Sequence, residues 1–202
     1  MLIDKTTETN EIKDEVFKED DMPLGLRFLG ILTGWLTVAA FSIGILSIVY
    51  AETAKTKSVK TSSDQRYEKY LDGTILDKKN SLMWMSSDYW QMEHKWVNWY
   101  TAKEYVQRMN NKKFAGYDDW RLPSVKEASL LYERRKRNTD KDGDKIFIDR
   151  IFPKGSGWST WTSEDKQNKA LIVSFKDEGG KSFQDKVAAT DAFLRLVRHA
   201  TP

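Results

Sequence analysis

The chain has no cysteine, and only two of its 202 residues, His94 and His199, are histidine. Without a thiol it has no disulfide, thiolate metal site or cysteine nucleophile, although the redox compartment stays open. Neither histidine stands in a motif that would activate a serine nucleophile. A glycine-rich phosphate-binding loop is also absent from the sequence. We therefore predict that the protein is not an enzyme.

Charge is distributed unevenly along the chain. Residues 1–23 contain eight Asp and Glu against three Lys, with few apolar residues, which predicts an acidic, disordered head. A docking tail for a basic partner is the alternative interpretation of this segment. Residues 66–202 contain 26 Lys and Arg, 20 Asp and Glu, and seven of the eight Trp. This part is long enough to form one hydrophobic core.

One long apolar run, residues 28–50, contains no charged residue. Its 23 residues would span about 34 Å as a helix, enough for a hydrocarbon core of ~30 Å. We predict a transmembrane helix over residues 24–50. It is longer than the ~7–15 apolar residues of a signal peptide, so we expect a retained anchor; cleavage after Ala51 and secretion are the alternative. Gly30 and Gly34 have the spacing that favours helix pairing, hence a homodimer.

Residues 51–65 are polar and lack aromatic residues, which predicts a flexible linker before a folded domain over residues 66–202. The basic residues flanking the apolar run do not decide the orientation in the membrane.

Local patterns in residues 66–202 predict an α+β domain with two helices and a mostly antiparallel sheet. Asp72-Gly73 indicates a hairpin, and apolar residues at helical spacing indicate a helix over 100–110. Ser124 and Glu127 form a capping box that begins a second helix, which we expect to fade at Arg134–Arg137. The predicted strands comprise residues 82–85, 158–163, 170–175 and 192–198.

Four phrases resemble one protein family in their order and spacing. They are DGTILD leading into SLMW at residues 72–84, AGYDDWRLPS at 115–124, IFP followed by WTS at 151–163, and LRLVR at 194–198. Together they resemble the Lcl C-terminal domain family, named for the end domain of a bacterial collagen-like adhesin. The resemblance implies a C-type-lectin-like fold, export to the periplasm or cell surface, and adhesion by binding sulfated polysaccharide. Many members carry cysteines that this chain lacks.

Two groups of residues are candidates for ligand contact. The basic run Arg134, Arg135, Lys136 and Arg137 can bind sulfate, phosphate or carboxylate groups. A solvated helix end is the alternative, because basic residues also favour helix C-termini. Trp90 and Trp96 lie in a polar stretch and are candidates for stacking on sugar rings, although core packing is the commoner role of aromatic residues.

The best-matched phrase predicts structure rather than binding. In Asp119, Trp120, Arg121, Leu122 and Pro123, the apolar side chains can be buried, while Asp119 and Arg121 could pair with each other or hydrogen-bond to loop backbone. Downstream, Asp140, Asp142, Asp144 and Asp149 surround a Gly turn and could bind calcium. A polar turn is the alternative, because the spacing departs from that of an EF-hand.

These observations predict a membrane-anchored binding or adhesion module that faces the periplasm or the cell exterior. Its expected ligand is an acidic glycan, an envelope polymer or a protein partner, and nucleic acid is not expected. The alternative function is a non-catalytic accessory subunit of a membrane protein complex.

Overall fold

The computed structural model of the protein describes residues 58–176 and 178–200. Within these ranges, no helix combines the length and apolar character that crossing a membrane requires. The acidic head, the predicted membrane helix with Gly30 and Gly34, and the cleavage position Ala51 lie outside the described residues.

The described chain is an α+β structure, as predicted, with three α-helices, one 3₁₀ helix and antiparallel sheets. The strands are β1 (Ser58–Thr61), β2 (Tyr67–Tyr70), β3 (Thr74–Asp77), β4 (Leu82–Met85), β5 (Asn138–Thr139), β6 (Lys145–Ile146), β7 (Ser159–Lys166), β8 (Lys169–Ser174), β9 (Lys181–Asp185) and β10 (Val197–His199). The helices are α1 (Tyr89–Glu93), α2 (Trp99–Asn111), the 3₁₀ helix Phe114–Gly116, and α3 (Val125–Ser129).

The largest sheet has five strands in the order β1-β2-β3-β4-β10. The predicted hairpin joins β2 to β3, where Gly73 has a φ of 88° and Asp72 accepts the backbone N–H of Thr74. β10 pairs antiparallel with β4, with Val197 opposite Trp84. This pairing places the last strand of the described residues beside β4, at one edge of the sheet.

The folded part begins before residue 66. Residues 58–65 were predicted to belong to the flexible linker, but Ser58–Thr61 forms a strand paired with Tyr67–Tyr70. Ser62 is buried, and its hydroxyl accepts the backbone N–H of Tyr67 and donates to Asp64. The sequence did not predict this strand because its side chains are mostly polar, and an edge strand with exposed side chains needs no apolar pattern.

The helices agree with the sequence in position and differ in length and number. α2 covers the predicted segment, and Asn98 caps it by accepting the N–H of Thr101. α3 begins with the predicted capping box but ends at Ser129, well before the basic run. The short helix α1 was not predicted; Asp88 and Gln91 form its capping box.

Two clusters of buried side chains form the core, one containing Trp99 and Trp161 and the other Trp84 and Phe152. Trp84 and Trp99 are both buried. The last predicted strand is shorter than expected, because residues 192–196 are buried but only Val197–His199 joins a ladder. Inside that segment Arg195 donates to the carbonyl oxygens of Met85 and Ser86.

Candidate functional site: a basic groove beside a tryptophan cluster

The basic run lies in a turn rather than at a helix end. After α3 the chain turns through residues 130–137, held by bonds from Glu133 N to Phe147 O and from Lys136 N to Glu133 O. Arg134, Arg135 and Arg137 are exposed. The alternative of a helix C-terminus is therefore wrong, because α3 ends at Ser129.

A groove of about 510 Å³ opens beside this turn. Three members of the predicted run line it, and Lys60 and Arg150 supply further positive charge. Its complete lining is Lys60, Thr61, Ser62, Ser63, Arg135, Lys136, Arg137, Asp149, Arg150 and Ile151. Arg134 does not line the groove. We call the ten lining residues the basic groove.

Lys136 is already neutralised within the groove. Its Nζ lies 2.6 Å from Asp149 Oδ2 and 2.7 Å from Asp64 Oδ2. Although partial burial opposes the charged form, the two carboxylates raise the pKa of Lys136. The bond from Lys136 holds the pKa of Asp64 well below its ordinary value. Lys136 therefore shapes the groove, and it is a poorer candidate for anion contact than its neighbours.

Two arginines that line the groove, Arg137 and Arg150, bond to backbone carbonyls instead of carboxylates. Arg137 donates to the carbonyl oxygens of Arg134 and Lys136, and its guanidinium lies 4.8 Å from the ring centre of Phe147. Arg150 Nε donates to Arg137 O at 2.9 Å. Within the described ranges no carboxylate pairs with Arg135, Arg137 or Arg150. Their charges remain available to an anion.

A second groove of about 370 Å³ continues the basic surface. It shares Arg137 and Arg150 with the first and adds Lys145 and Lys154. The two grooves therefore meet at one pair of arginines. An extended anionic chain could contact both grooves at once.

The predicted stacking residues Trp90 and Trp96 come together, with ring centres 4.8 Å apart. Phe193 contacts both and also contacts Trp158, which the sequence analysis did not single out. The three Trp side chains are half-buried, whereas Phe193 is fully buried. We call these four residues the tryptophan cluster. Gly157 gives the cluster its close packing, because a Cβ there would lie 2.0 Å from Phe193 Cγ.

Lysine ammonium groups border the tryptophan cluster. Lys141 Nζ lies 4.6 Å from the ring centre of Trp96 and 5.0 Å from that of Trp90. Lys176 Nζ lies 5.8 Å from the ring centre of Trp158. Such contacts are attractive because the ring face is electron-rich. The cluster therefore combines exposed aromatic surface with positive charge.

The carboxylates of the predicted calcium loop bond to lysines and to backbone. Asp140 accepts the backbone N–H groups of Asp142 and Asp144, while Lys176 pairs with Asp140 and Asp144, each at 2.9 Å. Asp142 pairs with Lys141, and Asp149 with Lys136. In the described part of the chain, no group of three or more His, Cys, Asp or Glu side chains could hold a metal ion. Asp140–Asp144 thus has the geometry of a polar hairpin turn.

The phrase around Trp120 makes contacts that hold the fold together, although Asp119 and Arg121 bond to other side chains and not to each other. Arg121 forms two bonds to the carboxylate of Glu127, at 2.8 and 2.7 Å, and exchanges backbone bonds with Val197. Partial burial alone would raise the pKa of Glu127. The bonds from Arg121 and from the backbone N–H of Ser124 outweigh burial and lower this pKa to about 2. Asp119 pairs with Arg198 at 2.6 Å.

The apolar residues of this phrase lie in the interior of the domain. Trp120 Nε1 donates to Phe114 O, and Leu122 and Pro123 are buried. The phrase therefore connects the start of α3 to β10.

The histidines have structural positions. His94 ends α1 with a φ of 53°. His199 Nε2 lies 3.0 Å from Arg121 Nη2. Because a guanidinium only donates, His199 accepts this bond.

Several residues of the site were missed by the sequence analysis: Lys60, Arg150, Lys154 and Trp158. One signal could have found Arg150. Asp142-Gly143 is a hairpin turn signal, and Gly143 has a φ of 86°. A hairpin there returns the chain alongside Arg137. For Lys60 no local pattern exists, because it lies on an edge strand with exposed polar side chains and meets Arg135 and Arg150 only in the folded structure.

Comparison with known proteins gives one match. A family model described as the Lcl C-terminal domain matches residues 73–198. No curated protein and no solved structure matches the chain. The matched range contains both the basic run and the tryptophan cluster.

Proposed function

Because the chain belongs to the Lcl C-terminal domain family, we propose that it is a binding module that recognises an acidic polymer of the cell envelope or surroundings. The basic groove is the contact surface. Its arginines bind the anionic groups, and the tryptophan cluster adds a second, aromatic contact surface. The protein acts by binding and adhesion rather than by catalysis, and it needs no cofactor.

One observation carries this proposal. Arg135, Arg137 and Arg150 line one or both grooves and lack carboxylate partners within the described residues, although each arginine could form two bonds to an anionic group. A cleft lined by charges of one sign focuses the electrostatic field and raises the local concentration of oppositely charged ligands. An acidic polysaccharide supplies repeated carboxylate or sulfate groups at a spacing that can follow both grooves.

We further propose that the domain has a C-type-lectin-like fold and faces the periplasm or cell exterior. The supporting features are the family, the uncharged run of residues 28–50 and the absence of nucleic-acid or nucleotide motifs. That run would act as a single-pass anchor, and a calcium-independent mode of binding fits the lysine-paired carboxylates.

The test uses the full chain in mild detergent and heparin as a model anionic polysaccharide. We expect the double variant Arg135→Gln/Arg150→Gln to bind at least about tenfold more weakly, because two charge-assisted contacts are lost. The matched control is Lys166→Gln/Lys169→Gln, which removes equal charge from the exposed hairpin between β7 and β8.

Equal weakening in both double variants would mean that net charge alone attracts heparin, and it would reject the groove as a site. Unchanged binding in both would reject the proposal entirely. In that case, stoichiometric membrane proteins copurifying with the full chain would favour an accessory subunit.

A further inference from the structure

The third sheet of the domain ends in an exposed edge strand. It has the order β7-β8-β9, and β9 pairs with β8 along one edge only. Along its other edge, β9 pairs with no strand in the described ranges. All five of its residues are exposed. An unpaired edge presents a row of backbone donors and acceptors to any strand that can align with it.

The sequence of β9 is complementary to its own reverse, so that two antiparallel copies would place opposite charges across from each other. It begins with a cation, ends with an anion, and has Phe183 at its centre: Lys181, Ser182, Phe183, Gln184, Asp185. When two copies pair antiparallel about Phe183, Lys181 of each copy faces Asp185 of the other. Ser182 then faces Gln184, and the two Phe183 rings face each other. We propose that β9 is a dimerisation surface and that its partner is β9 of a second copy of this chain.

The side chains needed for this pairing are free to make it. Phe183 is 47% exposed, so its ring is accessible to a partner strand. Lys181 and Asp185 form no ion pair within residues 58–176 and 178–200. Phe183, Lys181 and Asp185 also share one face of the strand, because side chains alternate along it. The new contacts would therefore line up on a single face.

The charges select the register. A lysine on an exposed edge normally discourages strand pairing. In the proposed register, however, each lysine faces an aspartate, and opposite charges directly across an antiparallel pair stabilise it. A shift by two residues in either direction would bring Lys181 or Asp185 of each copy opposite the partner's Phe183 and leave the charges unmatched. The two-fold symmetry is that of most homodimers, in which the same patch contacts itself.

The expected dimer is weak on its own. A single five-residue strand pair buries less than the roughly 1,000 Å² typical of a stable interface. A shared membrane would raise the local concentration of the two copies and so favour the contact. The dimerisation surface does not depend on the groove binding an acidic polymer, and each can fail without the other.

The absence of cysteine makes a direct test available, because one introduced cysteine reports one position. Facing residues on antiparallel strands have Cα atoms about 4.5–5.5 Å apart, within disulfide range. We expect Phe183→Cys in the full chain, in mild detergent, to form a disulfide-linked dimer on gentle oxidation. Gln184→Cys alone should not, because two copies of residue 184 lie about 8 Å apart. A mixture of Ser182→Cys and Gln184→Cys chains should form a mixed dimer.

The control for random collision is Leu71→Cys, whose parent residue is 68% exposed on another turn. Every cysteine variant is made on the background Gly30→Leu/Gly34→Leu, so that pairing through those glycines cannot bring the copies together. If Phe183→Cys links no faster than Leu71→Cys, the proposal is wrong. Equal linkage of Phe183→Cys and Gln184→Cys would also overturn it, because no single register would exist.

A charge swap tests the register independently. Lys181→Asp or Asp185→Lys on the Phe183→Cys background should slow linkage about tenfold, because each creates two like-charge contacts in the dimer. Both changes in one chain exchange the charges and restore the matched register, so linkage should return to within about threefold of the parent. Failure of the double change to rescue linkage would contradict the proposed pairing.

Discussion

Arginines serve two different purposes in two regions of this molecule. Arg121, Arg195 and Arg198, which we call the structural arginines, each lie near a carboxylate: Glu127 at 2.7 Å, Asp88 at 3.9 Å and Asp119 at 2.6 Å. Arg135, Arg137 and Arg150, which we call the groove arginines, have no carboxylate partner within the described residues. The structural arginines are buried or half-buried beside a carboxylate, whereas the groove arginines are exposed without one, and these two features together separate a structural role from a binding one.

The largest expected effect comes from removing a structural arginine. Arg195 is fully buried beside Asp88, whose carboxylate also accepts the backbone N–H of Gly157. Arg195→Met leaves a buried carboxylate and two carbonyl oxygens without their cation, so we expect a loss of about 3–5 kcal/mol in unfolding free energy. Urea unfolding followed by tryptophan fluorescence measures this loss.

The matched control is Arg150→Met, which we expect to change stability by no more than about 0.5 kcal/mol, because Arg150 is exposed. Equal losses in the two variants would erase the distinction between structural and groove arginines.

A smaller effect should appear as a dependence of stability on pH. The pKa of Glu127, which is about 2 in the folded protein against an ordinary 4.5, favours the folded state above pH 4.5. This stabilisation is lost as the pH falls from about 4.5 to about 2, and partial exposure limits it to about 1 kcal/mol. Glu127→Gln should remove this part of the acid sensitivity, as thermal unfolding between pH 2 and 5 would show. Parallel acid profiles for the two proteins would mean that the Arg121–Glu127 pair contributes nothing.

The sequence predicted local features well and long-range ones poorly. The hairpin at Asp72-Gly73, the helix over 100–110 and the capping box at Ser124 all depend on residues within a few positions of one another. The end of α3 depends on contacts across the fold, such as the bond from Arg66 Nη2 to Leu130 O. The strand at Ser58–Thr61 pairs with the next strand along the chain but carries no apolar pattern that would predict it.

The candidate site shows the same division. Arg135 and Arg137 were found from a run of basic residues, and Trp90 and Trp96 from their polar surroundings. Arg150 joins the groove only because the hairpin at Asp142-Gly143 returns the chain. The sequence also could not show that Lys136 is neutralised by Asp64, 72 residues away.

The smallest expected effect concerns the tryptophan cluster. Lys141→Met removes the ammonium near Trp90 and Trp96 while keeping most of the side-chain volume. We expect a loss of about 0.5–1 kcal/mol in stability, the size of an exposed cation–π contact. Heparin binding should weaken only slightly, measured by titration in the same buffer. A binding loss as large as that of Arg135→Gln/Arg150→Gln would place Lys141 among the groove residues and not with the structural contacts.

One paired measurement tests the central claim most directly. Arg121→Gln and Arg150→Gln each remove one arginine charge, and both proteins would be assayed for unfolding free energy and for heparin affinity in the native state. We predict that Arg121→Gln loses about 1–3 kcal/mol of stability, because Glu127 loses its partner, and that it keeps its affinity. Arg150→Gln should keep its stability and bind heparin several-fold more weakly. Equal changes in both quantities for the two variants would contradict the assignment of binding to the groove arginines.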